Sequence, residues 1–145
     1  MEIYTIGFTQ RTAASFFGAL RAKGIQRLID VRLNNSSQLA GFTKREDLRY
    51  FLKELCGADY LHEPLLAPTQ EILDSYKKNG AKWSEYERRF LVLMNERHPE
   101  MKVDRKLFSV PTVLLCSEAK PEHCHRRLVA EYLQSKWGDV DIVHL

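Results

Sequence analysis

A chain of 145 residues with 44% hydrophobic and 28% charged side chains can bury one core and is too short for two ordinary domains. No apolar run approaches the ~20 residues of a membrane-spanning helix. A formal net charge of +3 permits a phosphate or nucleic-acid partner without arguing for one. Three cysteines, an odd number, fit a reducing cytoplasm better than a disulfide scaffold, and the opening MEIYTIGF reads as a strand rather than a signal peptide.

In chain order, Glu2 to Phe8 is a strand that runs into a loop at Thr9. Thr12 caps a helix whose apolar stripe is Ala13, Phe16, Phe17 and Leu20, and Gly24 stops it. Gln26 to Val31 is a second strand, so the first ~30 residues form a βαβ unit with parallel strands. Leu33 to Gln38 is a polar loop. A helix from about Lys44 to Leu55 carries Leu48, Phe51, Leu52 and Leu55 on one face. Asp59 to His62 is a brief strand cut off by Pro64, and Thr69 caps a short helix with Ile72, Leu73 and Tyr76 inside. The next helix runs from about Trp83 to Arg97, and a charged connector follows from Glu100 to Lys106. Val140 to His144 is the last strand. The expected fold is a single α/β domain spanning residues 1–145, with a mainly parallel sheet of at least four strands flanked by helices.

The stretch from Val110 to Leu133 organises the chemistry. Val110 to Leu115 is an apolar run suited to a strand buried on both faces, and the helix after it is expected to start at Pro121. Between them stand Cys116, Ser117, Glu118, His123, Cys124, His125, Arg126 and Arg127. Helical phase puts His125 on the buried stripe with Leu128, Val129, Tyr132 and Leu133, with Arg126 at its edge and Arg127 pointing away. Glu118 is either a catalytic carboxylate or a cap on its own helix.

TIGFTQR at Thr5 to Arg11, LIDVR at Leu28 to Arg32, CSE at Cys116 to Glu118, CHR at Cys124 to Arg126 and the terminal VHL with His144 resemble domain of unknown function family 488. The resemblance runs over essentially the whole chain, and CSE with CHR is its most specific part. Phe8 and Thr9 stand where the family usually has histidine and serine. Leu33-Asn34-Asn35 replaces a common proline after DVR, and Ala67-Pro68 replaces a Gly-Gly, which marks a distinct subgroup. The resemblance implies an α/β fold and a shared pocket, and it supplies no reaction.

In a parallel sheet the loops after the strands meet at the carboxyl edge. That gathers Thr9, Arg11, Asp30, Arg32, Tyr60 or His62, Cys116, Glu118, His125 and Arg126, with Asn35 and Ser37 over the top. Asp30 beside Arg32, and Glu118 beside Arg126, are also simply satisfied ion pairs in the plainer reading. Several chemistries fit. Asp30, Glu118 and His125 suit acid–base hydrolysis, and converging Arg11, Arg32 and Arg126 suit an anionic ligand such as a nucleotide. Cys116 with His125 as base suits nucleophilic catalysis. Cys116, Cys124 and His125, with His123 as a fourth donor, suit a metal, although the spacing matches no zinc-finger pattern. A phosphatase-type cysteine loop is disfavoured, because Glu122 stands where its closing arginine belongs. The competing class is a non-catalytic nucleic-acid-binding module, with basic residues such as Arg45, Arg49, Lys77, Arg88 and Arg105 interleaved with Tyr50, Tyr76, Trp83 and Tyr86. Cofactor, substrate and oligomeric state are not legible.

Overall fold

The computed structural model describes residues 1–36 and 41–145 together with the backbone of 38–40. Five strands, β1 (Glu2–Gly7), β2 (Arg27–Asp30), β3 (Asp59–His62), β4 (Thr112–Cys116) and β5 (Asp141–His144), form one sheet in the order β3-β2-β4-β1-β5. Every pairing is parallel. The fold is therefore α/β, as the strand–helix alternation requires. Its central strand β4 is buried along its whole length, which explains why Val113 to Cys116 is apolar without alternation.

Helices cover both faces. On one face α1 (Ala13–Ala22) and α2 (Arg45–Cys56) bury Phe16, Phe17, Leu20, Leu48 and Leu52 against Ile6, Leu28, Val113 and Leu115. On the other, α3 (Gln70–Lys77), α4 (Trp83–Arg97), the short α5 (Pro99–Lys102) and α6 (His125–Trp137) pack Ile72, Phe90, Met94, Leu128 and Leu133 around Ile3, Ile29, Leu114 and Cys116. Neighbours β1 and β4 thus send their following helices, α1 and α6, to opposite faces. Such a switch point opens a crevice at the carboxyl ends of the two strands. Register sets Gly7 beside Cys116 at that edge.

Helix starts follow their caps. Thr12 accepts from the Ser15 amide at 3.0 Å and Thr69 from the Ile72 amide at 3.2 Å. The expected start of the last helix at Pro121 is corrected. Cys124 donates its amide to the Pro121 carbonyl, closing a turn, and is itself extended at φ −137, so α6 begins at His125. The stretch expected as a charged connector also differs, since Pro99–Lys102 and Arg105–Phe108 are short helical turns. No helix among the described residues is long and apolar enough to cross a membrane.

Candidate functional site

The loop from β4 to α6 is bolted to the loop after β1. The amides of Phe8 and Thr9 donate to the Ser117 carbonyl at 3.2 and 3.1 Å, and the Thr9 hydroxyl donates to the same oxygen at 2.8 Å. Arg126, fully buried, reaches back from α6 to donate to the carbonyls of Glu118 and Ala119 and, at 3.2 Å, to the Thr5 hydroxyl. Gly7 lets this happen. A Cβ there would strike the Glu118 carbonyl and the Arg126 guanidinium.

That loop brings three soft donors together. Cys116 at the end of β4, and Cys124 and His125 at the start of α6, place their ligating atoms within 4.8 Å of one another, all buried. Cys116 Sγ lies 3.2 Å from His125 Nδ1, while His125 Nε2 lies 2.6 Å from the Val31 carbonyl oxygen. A carbonyl only accepts, so Nε2 carries a proton and the Nδ1 lone pair of the neutral ring faces the sulfurs. Burial holds His125 below the ordinary histidine pKa and so keeps it neutral. Burial also opposes ionisation of Cys116. The Cys124 thiol, the Ser117 amide and the charge of Arg126 outweigh it, and the Cys116 pKa is lowered. Cys124 is pushed up by the hydrogen bond to Cys116 and by burial.

These donors lie on the floor of a cleft of about 220 Å³, whose walls include Arg32, Leu33, Asn34, Pro68, Leu73, Tyr76, Lys77, Trp83, Tyr86, Ser117, Glu118 and His123. Trp83 stacks on two rings, Tyr86 at 4.9 Å and 18° and His123 at 5.2 Å and 20°. Glu118 neither caps α6 nor meets Arg126 through its carboxylate. It accepts from Lys77 Nζ at 2.5 Å, across the cleft mouth.

Several expected site residues stand elsewhere. Asp30 is not a cleft wall. It is fully buried and takes two 2.9 Å bonds from Arg32 and one of 2.6 Å from the Tyr60 hydroxyl, so all its company is structural. Asn35 donates to Tyr60 at 3.0 Å, and His62 Nε2 lies 2.8 Å from the Arg32 carbonyl. Arg32 edges the cleft, but its guanidinium is taken up by Asp30 and Thr43. Arg11 donates to the Leu145 carbonyl at 2.8 Å, and Thr9 is spent on Ser117. Arg126 faces the loop backbone rather than the cleft. Arg127 is paired with Glu131 at 2.8 Å. Ser37 lies outside the described residues. Arg11, Arg32 and Arg126 thus donate to separate acceptors within the protein.

The basic and aromatic residues take these places. Tyr76 and Trp83 line the cleft and Tyr86 is buried there, while Arg88 pairs with Glu85, Arg89 with Glu71 and Arg105 with Asp139. Lys77, Leu73 and the Trp83–His123 stack are the features that sequence spacing did not place at the site. Leu73 alone among them carried a signal, its inward phase on α3, whereas Lys77 is exposed and His123 lies in the loop before α6.

No curated protein and no solved structure matches the chain. Residues 12–133 match the family described as Domain of unknown function DUF488, a span that takes in β2, β3, β4, the site loop and most of α6. The match covers most of the 145 residues, and the chain belongs to that family.

Proposed function

We propose that Cys116, Cys124 and His125 hold one thiophilic divalent cation of the zinc type, with a coordination position left open to the cleft. The contact of His125 Nε2 with the Val31 carbonyl carries this reading. Metal-ligating histidines nearly always anchor their second nitrogen on a carbonyl or carboxylate, which fixes the tautomer and aims the other lone pair at the metal. Two sulfurs and one imidazole are the borderline-soft set that zinc prefers, and three protein donors rather than four are the mark of an open site. Asp30, locked to Arg32 and Tyr60, is left out of this chemistry. The acid–base scheme built on Asp30 and an arginine-bound anion gives way to one built on the thiols.

The 3.2 Å Cys116–His125 contact favours a second reading, a metal-free nucleophile with its base. Metal content of the purified chain separates the two. Zinc at about one equivalent is expected in the unmodified protein and in Cys56→Ser, with well under a third of that in Cys116→Ser, Cys124→Ser and His125→Ala. Cys56 lies on α2, away from the cluster, and serves as the control. An unmodified chain that takes up no zinc from micromolar solution, and whose Cys116 is alkylated rapidly by iodoacetamide, would install the second reading instead.

A further inference from the structure

Resting on that metal reading, the charges of the cleft point to the kind of molecule it admits. We infer that the ligand is small and uncharged, presenting one oxygen or nitrogen lone pair to the open coordination position and an apolar body to the wall formed by Leu73, Tyr76 and Trp83. Three observations carry this.

The first is charge. Among the described residues that line the cleft, each Lys, Arg and Glu side chain already has an opposite charge of its own. Lys77 meets Glu118 at 2.5 Å, and Arg32 meets Asp30 through two 2.9 Å bonds. Two thiolates cancel a divalent cation, so a filled centre adds no net charge. A phosphate or carboxylate entering here would lose its hydration and find no unpaired Lys or Arg among the described lining side chains in return.

The second is size. About 220 Å³ is below the usual range for drug-sized ligands, so the cleft suits a single ring or a short chain. The third is the state of the aromatic wall. Trp83 is stacked against both Tyr86 and His123. Both stacks take up part of the indole surface, which narrows the room for a nucleobase, and a ligand meets the rest of the ring together with aliphatic surface. Amides, aldehydes, ketones and alcohols fit this description, and nucleotides do not.

Benzamide and benzoate share a shape and differ by one charge, which makes them the probes of choice, with adenosine monophosphate as the nucleotide comparison. The chain holds two tryptophans, and Trp137 packs away from the cleft against Phe108. Zinc-loaded Trp137→Phe therefore reports through Trp83 alone, and calorimetry on the unmodified zinc-loaded chain gives the same comparison without substitution. Benzamide is expected to bind at least about tenfold more tightly than benzoate or the nucleotide. In Cys124→Ser, which lacks the metal, benzamide affinity should fall by a similar factor. Tighter binding of benzoate or the nucleotide to a zinc-loaded protein would overturn this inference and leave the metal centre standing. Undiminished benzamide binding by metal-free Cys124→Ser would do the same, because the lone pair would then not be on the metal. A chain that binds no zinc at all would overturn the centre and this inference together.

Discussion

Asp30 and Arg32 stand two residues apart, and each removes the other's cost of burial. Asp30 is wholly buried and Arg32 is 3% exposed, with Tyr60 closing the pair from β3. Asp30→Asn should destabilise the chain by about 3–5 kcal/mol, because it strands a buried guanidinium, whereas Tyr60→Phe should cost only about 1–2 kcal/mol. Urea unfolding, which does not screen charge, distinguishes the two. Arg126 presents a related case without a carboxylate. Its bonds go to a hydroxyl and two carbonyls, so Arg126→Met should cost about 2–4 kcal/mol by orphaning those acceptors. Arg127→Ala, which breaks partly exposed contacts with Glu131, Glu87 and the Glu122 carbonyl, should cost less than about 1 kcal/mol. Similar losses from both would refute the assignment of Arg126 to the loop.

At the scale of elements, the starts of α1 and α3 were readable because a threonine side chain caps each. Thr12 and Thr69 announced α1 and α3, and either Thr→Ala change should cost about 1 kcal/mol in thermal or urea unfolding. The start of α6 was not readable. Pro121 looks like a first-turn proline, but the chain spends three more residues in a turn before the helix, and Cys124 caps it without a side-chain bond. What sets that loop is distant: Gly7, Thr9 and Thr5 on the first strand and its loop. Asp30 with Arg32 was legible because the partners are two residues apart, while Lys77 with Glu118 was not, being 41 residues apart on separate elements. Gly7→Ala tests the long-range part. It should push the Glu118 carbonyl outward and lower both stability and zinc uptake, and an unchanged zinc content would show that the loop position does not matter to the donors. The last strand adds a pH dependence. His144 on β5, whose Nδ1 lies 2.5 Å from the Thr5 hydroxyl, is held below the ordinary histidine pKa, first by partial burial and then by the charge of Arg126. A lowered pKa means that the folded chain binds the proton less readily than the unfolded one. The contribution of His144 is therefore intact above about pH 6.5 and is lost as pH falls through the folded pKa. Unfolding midpoints should drop between neutral and mildly acid pH, and the drop should be smaller in His144→Asn.

The whole molecule is a parallel sheet whose central strand delivers one cysteine to a switch-point crevice, with the partner donors returned to it by the following helix. Sheet order follows from burial: β4, buried throughout, belongs in the middle, and the short half-exposed β3 and β5 belong at the edges. That logic makes the crevice a property of the fold and the three donors a property of this chain's loop. X-ray absorption of the zinc-loaded protein tests the central claim most directly. Two sulfur scatterers at about 2.3 Å, one imidazole nitrogen at about 2.0 Å and one further light atom from the open position are the expected shell. A shell of oxygen and nitrogen alone, or one unchanged by Cys124→Ser, would contradict it.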